Sequence, residues 1–197
     1  TSGAAVPQQL DRDGILTKLN INATFTITGG GSDAVGALAF ALAQIIQEFT
    51  LTLNGKDTVI RQSGEHLAAR ALTDFGALPQ GLGATVVLTA ATATTYNIVI
   101  PIALFLPNAK VPDDTGIETR NLSQVTGTIR FANSNCSEIF TTPNGAAISN
   151  VSCSIVGEYT QTDESGIIPL EQNAVRVLDT VSVGNVASNS QLGIQMD

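Results

Sequence analysis

Charge is what this chain has least of. Asp, Glu, Lys and Arg make up 13% of its 197 residues, about half the share usual in a globular domain. Tryptophan is missing, histidine and methionine occur once each, and cysteine occurs twice. Each shortage removes a class of function. One imidazole and two cysteines far apart, Cys136 and Cys153, do not make the close ligand set of a metal site. Any Ser-His-Asp or Cys-His mechanism would have to use His66. The nine basic residues are scattered and nowhere interleaved with aromatics, and the net charge is −8. Direct binding of nucleic acid is therefore not expected. The lack of Trp also weakens any scheme that stacks a base or a sugar on an indole. Long apolar runs are missing too: the best candidate, residues 34–46, is interrupted by Gly36 and Gln44 and is too short to span a bilayer. The first residues lack the basic, apolar, small-residue order of a signal peptide. The opening Thr1, in place of Met, carries the expectation of a trimmed chain, which leaves room for a lost leader.

What is present is a core and a polar, uncharged skin. Hydrophobic residues are 43% of the chain, the reverse of a disordered composition. A single domain of this length can bury roughly 70% of the surface its unfolded chain exposes, so it needs no covalent staples. Cys136 and Cys153 fit either a disulfide or two buried thiols. The surface is left to Thr, Ser, Asn and Gln. Ions are costly to bury, and surfaces that make large permanent contacts tend to shed them. A secreted domain with a neutral polar skin would have the same composition.

Residues 1–10 are small and polar and read as a flexible N-terminal arm. Residues 19–28 then alternate apolar and polar, the period of a half-buried strand. Residues 34–47 are rich in Ala and Leu and predict a helix docked over the sheet. Residues 49–53 alternate again, Asn54-Gly55 is a favoured two-residue hairpin turn, and residues 58–61 return as the partner strand. Ser63 can cap a helix over 64–75, with Glu65 in its first turn and Gly76 closing it. Further strands are predicted over 85–89, 96–106, 125–131, 148–160 and 174–183. Pro101 cannot donate to a ladder, so it requires an edge, a bulge or a strand end. The fold class is all-β: an eight-stranded jelly-roll sandwich with two short helices in its connections. Its domain spans residues 11–184, and residues 185–197 form a C-terminal tail.

Several patterns imitate chemistry. Gly29-x-Gly31-x-x-Ala34 follows a strand, with Glu48 downstream, as in a dinucleotide fingerprint. The acidic residue should end the second strand, however, and Glu48 precedes one that returns through a hairpin, so a flexible loop explains the glycines. Ser63, His66 and Asp74 would all come from one helix and its cap, whereas a triad converges from separate elements. Asp11-x-Asp13-Gly14, Asp113-Asp114 and Asp163-Glu164 are the acidic clusters that could hold calcium or run glycoside chemistry. The first lacks the other ligands of an EF-hand loop, and the second reads as a turn after Pro112. Asn22, Asn121, Asn135 and Asn150 match the glycosylation pattern, as chance allows in a chain rich in Asn, Ser and Thr. No catalytic residue, metal ligand or cofactor is assigned.

The order of these pieces carries a resemblance. Arg12-Asp13-Gly14-Ile15-Leu16 leads into the first strand, and Leu51-Thr52-Leu53-Asn54-Gly55-Lys56-Asp57-Thr58-Val59-Ile60-Arg61 makes the hairpin. Ser63-Gly64-Glu65-His66-Leu67 opens the helix, Ile100-Pro101-Ile102-Ala103-Leu104 ends a long strand, and Val175-Arg176-Val177-Leu178-Asp179-Thr180-Val181 comes late. From residue 12 to residue 183 this order is similar to that of jelly-roll major capsid proteins of tailless icosahedral viruses with an internal membrane, the adenovirus and tectivirus lineage. With room for one barrel, the chain resembles the branch that builds capsomers from single upright barrels; a vertex protein of the lineage also fits. The resemblance implies a non-enzymatic virion protein that assembles with copies of itself and with other capsid proteins, close to an internal viral membrane. The N-terminal arm and the tail are then the segments expected to order against neighbours. The competing reading is an extracellular carbohydrate-binding or adhesive β-sandwich, which should show exposed aromatics, and the chain has only Tyr96 and Tyr159 beside its phenylalanines.

Overall fold

A computed structural model describes residues 5–83, 86–106 and 115–160, together with the backbone of 178–179. Its centre is β2 (Ile15–Thr28), which extends the strand expected over 19–28 by four residues at its start. The alternation has the expected effect. Leu19, Ile21, Ala23, Phe25 and Ile27 are buried, while Asn20, Asn22, Thr24 and Thr26 face outward. On either side of β2 run β6 (Ala93–Ala103) and β10 (Ala147–Thr160), both antiparallel to it. The two-residue strand β7 (Ile117–Glu118) pairs with the start of β2. Pro101 is tolerated because β6 lies at the edge of this sheet.

The facing sheet has the order β1-β8-β4-β5-β11. These strands are β1 (Ala5–Gln9), β8 (Val125–Phe131), β4 (Ile46–Leu53), β5 (Asp57–Gln62) and β11 (Leu178–Asp179). The β4–β5 connection turns on Asn54 and Gly55, both at positive φ (52° and 73°), and the Lys56 N–H donates to the Leu53 carbonyl at 3.1 Å. This is the backbone that an Asn-Gly pair favours. Strand pairing resumes at Asp57, so three residues rather than two separate the strands. β8 carries Gly127 on its inner face because Ile155 of β10 reaches across the core to it. A side chain at 127 would begin 2.6 Å from Ile155 Cδ1. Phe25 and Ile21 from one sheet and Phe49 and Leu51 from the other belong to a single apolar core.

The helix α1 (Gly64–Phe75) forms where expected. Ser63 is its N-cap, and Gly76, at φ 69°, closes it with its N–H on the Leu72 carbonyl. α1 buries Leu67, Ala68 and Ala71 and packs beside β6 and β4.

Four expectations are corrected. Residues 34–47 are not a helix: they hold β3 (Val35–Ala37), which pairs with β9 (Phe140–Thr142), then a five-residue 3-10 turn (Ala41–Ile45) and the start of β4. Gly36 at φ 72° and Phe40 at φ 48° break helical geometry, and the 3-10 turn buries Ala41, Leu42, Ala43 and Ile45 almost consecutively. Tertiary burial has overridden the helix propensity of Ala and Leu. Of the strand expected over 85–89, the described residues 86–89 hold only a bridge between Leu88 and Ala34. Residues 5–9, expected within a flexible arm, are the paired strand β1. With the short strands included, the described residues form eleven strands, one α-helix and one 3-10 turn, in place of eight strands and two helices. The expected strand over 174–183 survives as β11 at residues 178–179, its remainder lying outside the described residues together with the tail 185–197.

Candidate assembly surfaces

The outward side chains of β10, β2 and β6 line up in rows. Ser149–Thr26–Thr95, Ser152–Thr24–Asn97, Ser154–Asn22–Val99 and Val156–Asn20–Pro101 are successive ones. Their polar groups are largely paired with one another. Thr24 Oγ1 donates to Asn97 Oδ1 at 2.7 Å, the Thr26 and Thr95 hydroxyls lie 3.1 Å apart, and Asn22 Nδ2 reaches Ser154 Oγ at 3.4 Å. Charge enters only in the last row, Glu158–Lys18–Ala103, where Lys18 Nζ and Glu158 Oε1 are 2.8 Å apart. The Lys18 ammonium and an Asn20 amide N–H, 2.6 Å from the same oxygen, hold the Glu158 carboxyl below its ordinary pKa, with partial burial opposing them. Lys18 also lies 5.6 Å from the centre of the Phe75 ring, at the C-terminal end of α1. There Leu72, Phe75 and Leu78 leave apolar surface exposed.

The outer face of the opposite sheet is different. Arg130 lies opposite Glu48 across β8 and β4, and Arg61 lies opposite Thr50 across β5 and β4. The two sheets are stitched along one side by Gln8 of β1. Its Nε2 donates to the Ile155 carbonyl at 2.7 Å, and its Oε1 accepts the Ile155 N–H at 2.9 Å. A side-chain amide carries the donor and acceptor of a peptide unit, so Gln8 covers part of the open edge of β10 as a neighbouring strand would.

The motifs singled out in the sequence resolve into structure. Gly29 and Gly30 are packed, not flexible: a Cβ on either would overlap the carbonyl of Thr89 or of Asn144. Asp33 helps to join the same loops, its Oδ1 accepting the Ala90 N–H at 2.7 Å and its carbonyl accepting Asn144 Nδ2 at 2.6 Å. Gly29 to Ala34 lead to no helix N-terminus that could receive a phosphate, and Glu48 sits in β4. Ser63 and His66 do meet, with Oγ 2.7 Å from Nδ1, but the same hydroxyl caps α1 by accepting the His66 N–H. Asp74 lies eight residues further along the helix, roughly 12 Å away along its axis, near Arg70. The shallow depression beside this cap, about 160 Å³, is lined by Ser63, Glu65 and Glu138 among others. It is smaller than the roughly 300 Å³ at which ligand pockets begin.

Asp11 and Asp13 flank Tyr159, whose hydroxyl donates to the Asp11 carbonyl at 2.7 Å. Burial, with the two carboxylates adding to it, pushes this phenol up to about 12. The Gly14 carbonyl beside them accepts from both the N–H and the hydroxyl of Thr119. Asp113-Asp114 and Asp163-Glu164 lie outside the described residues. Among the described residues no cluster of three or more His, Cys, Asp or Glu is placed to hold a metal ion. Cys136 and Cys153 are free, and burial raises both thiols to about 11. Tyr96 packs on Phe25 with ring centres 5.9 Å apart. Of the four Asn in glycosylation patterns, Asn22 bonds across the sheet, Asn135 accepts from Ser137, and Asn150 lies at an irregularity of β10 with φ 51°. No helix among the described residues is long and apolar enough to cross a membrane. The neutral rows were legible as the Thr and Asn positions of the alternating strand; the Gln8 bridge, across 147 residues of chain, left no local signal.

No protein-family model matches the chain, and no curated protein matches it. Solved structures do match by fold. A crystal structure of the major capsid protein of STIV is 18% identical, with a TM-score of 0.62 over 82% of this chain and 45% of that one. A chain in the atomic structure of Sulfolobus turreted icosahedral virus is 20% identical, with a TM-score of 0.60 over 82% of this chain and 42% of that one. The chain thus has the jelly-roll fold of a viral major capsid protein. It spans less than half the length of the capsid chains it matches.

Proposed function

We propose that this chain is a structural subunit of a virion shell, located in the capsid and assembling with copies of itself and with other capsid proteins. The observation that carries the reading is the fold shared over 82% of the chain with the STIV capsid protein. The residue chemistry supports it. The hydroxyl of Ser63 is engaged as a helix cap, and the surface is neutral, polar and internally hydrogen-bonded over most of one sheet. Such a surface can meet a neighbour without burying unpaired ions. A closed shell repeats each contact many times, so each needs only modest strength. In this reading the chain forms one jelly-roll barrel that opens with β1, and the protein performs no catalysis.

The test is the solution mass of the purified protein by light scattering over a range of concentration and salt, with electron microscopy of whatever forms. The expected result is discrete oligomers that grow into shells or sheets. A strict monomer at every condition would overturn self-assembly.

A further inference from the structure

The whole chain carries a net charge of −8, so copies repel each other at long range, and a contact adds least to that repulsion where its own surface is locally neutral. The outer face of β10, β2 and β6 is such a surface. Its charged residues are one Lys and one Glu, 2.8 Å apart in its last row. From that row to the row of Ser149, Thr26 and Thr95, the remaining positions are neutral. The opposite outer face, by contrast, presents Arg61 and Arg130 against Glu48. A two-fold contact places the same patch on itself, so that residue i meets j and j meets i. One cation and one anion make a self-complementary set under that operation, since Lys18 of one copy can face Glu158 of the other. The threonine and asparagine groups already satisfy one another across the strands, so covering them strands few donors and acceptors.

We infer that the outer face of the β10-β2-β6 sheet is a contact surface for a second copy of this chain, with Lys18 and Glu158 fixing its register. The inference rests on the capsid reading and names the partner and the face it uses. Three strands at about 4.8 Å spacing and about 3.4 Å per residue along the eleven-residue β6 give a flat area of roughly 500 Å². A stable pair usually buries about 800 Å² on each partner. The contact is therefore concentration-dependent, as a shell contact should be, and does not hold a permanent dimer.

Complementation tests it. Lys18→Glu gives the face two negative charges, and Glu158→Lys gives it two positive ones. Each variant alone should lose self-association by about tenfold or more relative to the unaltered chain, measured by sedimentation equilibrium. An equimolar mixture of the two should recover it, because opposite faces then meet. Misfolding cannot mimic that recovery, and thermal melts of each variant check the fold directly. Arg130→Glu, on the other outer face, should leave association unchanged. If the unaltered chain associates and the mixture does not recover, the face is wrong while the capsid reading stands. If the unaltered chain stays monomeric at every concentration, both the inference and self-assembly fall.

Discussion

The two sheets of this sandwich share one interior and have unlike exteriors. Inside, Phe25 and Phe49 are both fully buried, one from each sheet, and the core runs between them without a boundary. Outside, the β10-β2-β6 face is a set of hydroxyl and amide rows with one ion pair at its end, while the β8-β4-β5 face holds Arg130, Glu48 and Arg61 among threonines. Folding requires only that the inner positions be apolar, so it constrains both sheets alike there. What the outer positions hold is left to solubility and contact. The difference between the faces is therefore informative about function in a way that the core is not.

The largest effect should come from breaking what the sheets share. Phe25→Ala and Phe49→Ala should each cost about 3–5 kcal/mol in urea denaturation, by similar amounts, since each leaves a cavity in the same core. A large disparity between them would mean that the sheets are stabilised separately. Next in size is the bridge between the sheets. Gln8→Ala removes two hydrogen bonds and leaves the Ile155 N–H and carbonyl without this partner, which should cost about 1–2 kcal/mol. A Gln9→Ala control, which loses only an exposed contact with Thr126, should change stability by less than about 0.5 kcal/mol.

A smaller effect separates the faces by pH. The folded-state pKa of Glu158 lies below its unfolded value because of Lys18 and Asn20. The stabilisation it adds is therefore complete above about pH 4.5 and is lost as pH falls through the lower folded value. Glu158→Gln should flatten the acid limb of a stability-versus-pH curve, and an unchanged limb would mean that the ion pair does nothing for folding. The least perturbing experiment is chemical. With both thiols raised to about 11 by burial, Cys136 and Cys153 should alkylate far more slowly at pH 8 than after unfolding, because the thiolate is the reacting form.

Where local chemistry is decisive, the fold could be read from the sequence. The Ser63 cap and Gly76 stop bracket α1, Asn54-Gly55 turns the hairpin, and the alternation of β2 names its buried face. Residues 125–131 and 148–160 also emerge as strands. Reading failed where distant partners outweighed local preference. The Ala- and Leu-rich stretch 34–47 was recruited by β9 and the core into a strand and a tight turn. Residues 5–9, with one large apolar side chain, gained a strand only because β8 offered an unpaired edge.

By itself, then, the sequence determined the class of the protein: a β-rich core under a nearly uncharged skin. Those properties depend on residue type and on spacing along the chain. Only the tertiary structure decided which neutral residues share a face, which ion pair ends it, and which side chain closes the side of the sandwich. Lys18 and Glu158 are 140 residues apart in the chain and 2.8 Å apart in space. The register that brings them together is set by the whole length of β2 against β10, and no local pattern encodes it.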